Sequence, residues 1–241
     1  MHARSVASGQ GWQWIVNGFR LFRKSPFMWI AFTLVLALLW MLSFAVPIVG
    51  PLLFNLLSPV FFAGLMLGCR VVETGEDLEL AHLFAGFRAH APALVTIGGV
   101  HLAGSIVIVG LFYYVAGGPS LHTMLSAGRL PREAALNLSL ALLMALALYT
   151  PLLMVVWFAP LLIVFEEQTP VSAMKASFIA CSKNIMPFLV YGLILFILLL
   201  IAAPLLLGLL VLMPVVFCSI YASYQDIFVS EHRTVAGPAV G

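Results

Sequence analysis

Charge is what this chain has least of, and where it is missing matters more than how little there is. Asp, Glu, Lys and Arg make up 8% of the 241 residues. None of them falls in four long stretches: Pro26–Cys69, Ala89–Gly128, Ala134–Phe165 and Asn184–Gln225. About 20 consecutive apolar residues cross a bilayer as a helix. With 63% hydrophobic residues, that absence excludes a soluble globule and implies an all-α, polytopic membrane helical bundle whose first partner is the lipid bilayer. A net charge of +2 gives no reason to expect nucleic acid as a partner.

Other absences narrow the chemistry. Cys69, Cys181 and Cys218 are isolated, odd in number and without CxxC spacing, so neither a disulfide framework nor a zinc site is indicated. No GxSxG, HExxH, GxxxxGK[ST] or GxGxxG occurs. Ser219 and Ser223 near Asp226 and His232 show only helical spacing. The chain therefore reads as a non-enzyme with no catalytic residue, cofactor or metal site expected. Before Pro26 there is Arg4 and a polar, aromatic segment, with no short apolar core followed by a cleavage site. The first span is thus expected to act as its own insertion signal.

The apolar runs divide into six transmembrane spans, at 26–47, 52–69, 92–115, 137–164, 187–203 and 205–224. Two pairs are joined by very short turns, at 46–51 and 202–204. The second turn has no polar side chain, so spans five and six read either as two crossings or as a partly inserted hairpin. Arg4, Arg20, Arg23, Lys24, Arg70, Arg88, Lys175, Lys183 and Arg233 fall on one side, and only Arg129 and Arg132 on the other. The positive-inside rule then places both termini in the cytoplasm of a bacterial inner membrane. Trp29, Tyr113, Tyr114, Tyr221 and Tyr224 stand near the span ends, where amphipathic rings anchor.

Each span pair is preceded by a segment of helical period, expected to lie in the cytoplasmic membrane surface. The first is Gln10–Ser25, with Trp12, Ile15, Val16, Phe19 and Phe22 on its apolar face. The second is Glu76–Ala91, with Leu80, Leu83, Phe84 and Phe87. The third is Pro170–Met186, with Val171, Met174, Phe178 and Cys181. Thr74 with Asp77 reads as a capping box, and Thr169-Pro170 as a cap followed by proline at the first helical position. Pro26, Pro92 and Pro187 then mark the turn into the bilayer, where a missing amide costs little. The chain thus divides into a flexible N-terminus (1–9), one membrane domain (10–228) and a flexible tail (229–241). Within the domain, 10–71, 76–165 and 169–228 read as three parallel helix-pair repeats.

Few side chains offer chemistry inside the spans. An intramembrane ionisable residue is a functional candidate by default, and only His101 qualifies, with Asn55 or Ser105 as hydrogen-bonding neighbours. His101, Asn55 and Thr150 form the candidate polar intramembrane site. Gly64 and Gly68 make a GxxxG pair that allows close helix approach, within the monomer rather than between copies. Pro59, Pro151, Pro160, Pro204 and Pro214 interrupt the spans, either as kinks or as breaks exposing backbone to a transported solute. Glu73, Glu76, Asp77, Glu79, Glu166, Glu167 and Asp226 collect on the basic side as solvated, helix-capping residues. Arg20, Arg23, Lys24, Arg88, Lys175 and Lys183 are candidate contacts for anionic lipid, each worth about 1 kcal/mol near such a surface.

The stretch Pro170-Val-Ser-Ala-Met-Lys-Ala-Ser-Phe, followed by Asn184-Ile-Met-Pro187-Phe, resembles a pattern in uncharacterised bacterial six-span inner-membrane proteins. So does the closing Pro214…Ser219-Ile-Tyr221-Ala-Ser-Tyr224-Gln-Asp226-Ile-Phe228. The layout is also distantly similar to the membrane domain fused to some glycerophosphodiester phosphodiesterases. No phosphodiesterase domain stands in these 241 residues, so that activity does not carry over. The resemblance implies an inner-membrane protein and supplies no site residues. The function expected is a non-enzymatic component that organises or assists another membrane protein, or a second copy of itself. The alternative is a small-solute or lipid transporter or channel with a cavity between the helix pairs.

Overall fold

Six helical spans in the computed structural model are long and apolar enough to cross a membrane. The structure describes residues 3–88, 90–118, 131–204 and 206–229; Arg129, His232, Arg233 and the tail from 230 onward lie outside the described residues. Helix α1 (Gln10–Lys24) leads into α2 (Pro26–Ser43), and Ser25 with the N1 proline Pro26 makes the sharp turn between them. Helix α3 (Val49–Thr74) returns. Leu80–Phe84 is a 3₁₀ turn continuing into α4 (Ala85–Arg88), before α5 (Ala91–Val115). Helices α6 (Arg132–Val156) and α7 (Ala159–Glu166) together form the fourth span. Then come α8 (Pro170–Lys183), α9 (Ile185–Ala202), α10 (Leu206–Tyr224) and a π-helical turn at Gln225–Val229.

The second halves of the span pairs make the centre. Val60, Leu65 and Met66 of α3, Ala159–Ile163 of α7, and Cys218, Ser219 and Tyr224 of α10 are buried. Helices α2, α5, α6 and α9 surround them, carrying apolar side chains such as Leu34, Ile106, Leu143 and Ile197 on the exterior. A bilayer covers such a surface as well as protein would, which is why a helix apolar all round is stable there. Helix α9, with 18 residues, and the 23-residue stretch Leu207–Val229 are each long enough to cross, so the chain has the length for six crossings.

Three local expectations change. The α3 helix runs five residues past 69 and ends at Gly75, whose φ of 87° is the left-handed closing conformation that glycine adopts freely. The Thr74–Asp77 capping box therefore does not form. The Thr74 hydroxyl instead donates to the Val71 carbonyl at 2.8 Å, and the box sits at Glu79 and His82. The second lead-in segment is consequently two short turns rather than one amphipathic helix. Its backbone is pressed against α3: a Cβ on Gly64 would collide with the Leu83 carbonyl, and one on Gly86 with the Val60 carbonyl. Gly64 thus serves close approach inside the monomer.

The other lead-in helices are packed as well. Trp14, Ile15 and Phe22 of α1 are buried against α9 and α10, and a Cβ on Gly18 would lie 2.6 Å from the Ser219 amide nitrogen. In α8 the buried residues are Ala173, Ser177, Ala180 and Cys181, while Val171 and Phe178 are exposed. Small residues win that face because they let α8 approach α6 and α7 closely. Thr169 and Pro170 begin α8 as expected, without a side-chain cap bond. Residues 3–9, expected to be flexible, meet specific partners: the Val6 amide donates to Asn184 Oδ1 (2.8 Å), Asn184 Nδ2 to the Arg4 carbonyl (2.9 Å), and Lys183 Nζ to the Ala3 carbonyl (3.2 Å).

Candidate functional site

His101 stands on α5 ten residues after Ala91, about 15 Å into the bundle at 1.5 Å per residue. Its ring bridges two neighbouring helices. Nδ1 lies 3.3 Å from Asn55 Oδ1 on α3, and Nε2 lies 3.3 Å from the Tyr149 hydroxyl on α6. One assignment satisfies all three groups: Nδ1–H donates to Asn55, and the Tyr149 O–H donates to Nε2. That arrangement needs no proton beyond the neutral imidazole. The structure thus brings His101 and Asn55 together. Thr150 does not join them; its hydroxyl donates to the Leu146 carbonyl of its own helix at 2.8 Å. Tyr149, one residue earlier, takes its place. Ser105 Oγ is buried without a partner among the described residues.

His101 also forms part of the wall of a cavity of about 520 Å³ enclosed by α2, α3, α5, α7 and α10 with the α6–α7 junction. Its volume falls in the range of small-molecule sites, roughly 300–1,000 Å³. The lining is almost wholly apolar, with Leu36, Phe54, Phe61, Phe62 and Phe217 typical of it. Thr33, Ser58, Trp40 and Trp157 are the other lining residues with a polar side-chain atom, and among the described residues no Asp, Glu, Lys or Arg lines it. The exposed members of the lining, Ala37, Trp40 and Met213, stand on α2 and α10. The cavity therefore opens sideways between those helices, toward the surface that lipid would cover.

Hydroxyl groups fill part of the gaps in the helical ladder beside the cavity prolines. Pro59 cannot donate to the Asn55 carbonyl four residues earlier, and the Ser58 hydroxyl donates to it instead at 2.8 Å. Where α6 breaks before Pro160, the Ser177 hydroxyl of α8 enters the ladder: it donates to the Met154 carbonyl (2.6 Å) and accepts from the Phe158 amide (2.9 Å). These are kinks whose freed groups neighbours re-satisfy. Nearby on α8, burial pushes the Cys181 thiol up to about 12, against a smaller opposite pull from Ser177, so this cysteine is an inert thiol at neutral pH.

At the basic end, carboxylates tie the central helices together. Glu73 accepts from the Tyr221 hydroxyl (2.6 Å) and Gln225 Nε2 (3.2 Å); Glu166 accepts from the Tyr224 hydroxyl (2.8 Å). Asp226 accepts the Trp14 indole N–H at 2.9 Å and pairs with the Arg4 guanidinium. A second cavity of about 470 Å³ lies here, lined by Gln10, Asn17, Glu73 and Gln225 among others. Among the described residues no three His, Cys, Asp or Glu are grouped to hold a metal ion. Of the candidate lipid contacts, Lys24 donates to the Val72 carbonyl (3.2 Å) and so closes the end of α3, and Lys183 holds Ala3. Arg20 reaches Asn17 (3.4 Å), and Arg23 lies 6.0 Å from the Phe19 ring centroid. Arg88 and Lys175 are exposed.

No family model and no solved structure matches the chain. A curated protein of Burkholderia thailandensis, named "Probable inner membrane protein", is 34% identical over 256 residues, which cover 95% of this chain and 94% of the relative. The similarity to a glycerophosphodiester phosphodiesterase membrane domain finds no support in these comparisons. Identity at that level over nearly the whole of both chains, on an all-α bundle of six membrane-length helices, places the protein: it belongs to the family of this inner membrane protein.

Proposed function

We propose that the protein is a non-enzymatic, lipid-binding component of the bacterial inner membrane, taking a hydrocarbon chain from the bilayer into the cavity between α2 and α10. The observation that carries this reading is the cavity itself: large, apolar and open sideways. Water gains nothing there, because a water needs two or more polar partners and these walls offer few. Beside a bilayer, lipid chains are the abundant apolar occupant. Transport of a small polar solute is less well supported, since Asn55 and His101 are bonded to each other and Thr150 to its own helix. An assembly role draws on another observation: Ile106 and Val109 of α5 and Leu142, Leu143 and Leu146 of α6 are all exposed, leaving a broad apolar surface for a partner or a second copy.

The test is lipid retention by the full chain. Purified in a mild detergent and released into the gas phase for native mass spectrometry, the protein is expected to keep a bound lipid. Ala37→Trp, which places an indole at the cavity mouth, is expected to lose most of it with helical content unchanged by circular dichroism. Equal retention by the two proteins would overturn the reading.

A further inference from the structure

We infer that this cavity selects lipids by the length of an acyl chain rather than by headgroup, and that the chain enters methyl end first from the leaflet opposite the basic end. This rests on the lipid-binding reading above and names which lipids enter and by which end. Depth carries it. The buried part of the wall lies toward the basic end: Leu65 is five residues before Arg70, Ile97 six residues into α5, and Ile220 six before Asp226. At 1.5 Å per residue these stand about 7–9 Å from that end. The exposed part lies farther in. Ala37 and Trp40 are eleven and fourteen residues into α2, and Met213 is thirteen before Asp226, which is about 16–21 Å. Mouth and floor are thus on different levels, and a hydrocarbon core about 30 Å thick puts the mouth at or just past the midplane.

Headgroups stand at the two interfaces, roughly 15 Å from that level, and the midplane holds the methyl ends of the chains. Drawing a phosphate to the mouth would strip its hydration, and among the described residues no Asp, Glu, Lys or Arg lines the wall to receive it. The mouth is continuous with the outer surface of α2, where Leu34, Leu38 and Met41 are exposed, so a chain end reaches it without leaving hydrocarbon. The position of the floor sets the direction. A chain anchored in the far leaflet runs straight on past the midplane toward Leu65 and Ile97. One anchored in the near leaflet would have to reach the midplane and fold back. Length then matters for an energetic reason. Lipid tails are as apolar as the wall, so entry gains only the close contacts that an empty apolar space lacks. Those contacts accumulate with each methylene that passes the mouth.

The full chain in its native membrane is prepared as right-side-out and as inverted vesicles. Cyclodextrin exchange loads the outer leaflet alone with a phosphatidylcholine bearing a photoreactive group at the methyl end, or beside the ester, of one stearoyl chain. Maleimide labelling of Glu76→Cys in the same vesicles identifies the leaflet at the basic end, and mass spectrometry maps the cross-linked peptides. The methyl-end stearoyl probe in the far leaflet is expected to label the peptides of Leu65 and Ile97. A methyl-end myristoyl probe should label them several-fold less, and phosphatidylglycerol with the same stearoyl chain equally. The ester-side probe, and the methyl-end probe in the near leaflet, are expected to leave the floor unlabelled. Ala37→Trp and Met213→Trp each narrow the mouth and should remove the floor labelling, while Leu193 and Ile197 on the exposed face of α9 are labelled as before. A variant that loses both patterns is misfolded, and the other variant is then decisive. Floor labelling by the ester-side probe, labelling from the near leaflet as strong as from the far one, indifference to chain length, or a strong headgroup preference would overturn the inference and leave the lipid-binding reading standing. Absence of floor labelling by every probe overturns it too; if Ala37→Trp also leaves lipid retention unchanged, the lipid-binding reading fails with it.

Discussion

The carboxylate of Asp226 joins three parts of the chain that are distant in sequence. It closes the last membrane helix, accepts the indole N–H of Trp14 from α1, and pairs with Arg4 of the N-terminal segment. Trp14 is 1% exposed, so removing its acceptor leaves a buried donor unmet. Asp226→Ala is therefore expected to lower stability by about 1–3 kcal/mol, read as the unfolding midpoint in detergent. Arg4→Ala should lower it by less, because the Arg4 side chain is 37% exposed and solvent screens much of the ion pair. Equal losses from the two substitutions would show that the charge, not the indole bond, holds this corner. His101 belongs to the same scale: its partner Asn55 is legible as a polar residue in an apolar span, whereas the choice of Tyr149 over Thr150 depends on which way α6 is turned.

At the scale of the element, the break between α6 and α7 is the clearest case of one helix completing another. Ser177 of α8 sits in the gap between the Met154 carbonyl and the Phe158 amide, which an unbroken helix would join directly. It is fully buried. Ser177→Ala is expected to leave both backbone groups unpaired in a low-dielectric setting, at a loss of about 1–3 kcal/mol. Ser139→Ala is the control, since the Ser139 hydroxyl only adds a bond to the Ala135 carbonyl of its own exposed helix at 2.8 Å. Thermal unfolding of the two variants side by side checks the difference; matching midpoints would mean that the break closes on itself. In sequence, Pro160 announces a kink, but nothing announces that a serine seventeen residues later fills it.

At the scale of the whole molecule, the packing is cyclic. Helix α1 leans on α10, the 80–88 segment on α3, and α8 on α6 and α7. Each lead-in segment thus rests on the closing helix of the pair before it, with the first pair following the last. On this arrangement we propose three parallel repeats around an axis along the membrane normal, to be tested by superposing the three segments. The charge asymmetry supports a single orientation for all three. In a cysteine-free background, Ser8→Cys and Glu76→Cys are expected to resist a membrane-impermeant maleimide in spheroplasts until the membrane is opened, while Arg132→Cys reacts at once. Labelling of Ser8→Cys in intact spheroplasts would reverse the orientation.

Taken alone, the sequence determined the membrane class, the six spans and the prolines at their starts. Length, hydropathy and the fixed φ of proline are local properties that a bilayer reads directly. It also marked His101 and Asn55, because a polar group in hydrocarbon must find a partner. Only the tertiary structure decided which apolar faces meet each other. A bilayer is as apolar as a helix flank, so hydropathy cannot distinguish a lipid-facing leucine from a packed one. For that reason the burial of α1 and α8, the rotation that brings Tyr149 to His101, and the uncharged cavity beside them emerge only when the helices are placed together.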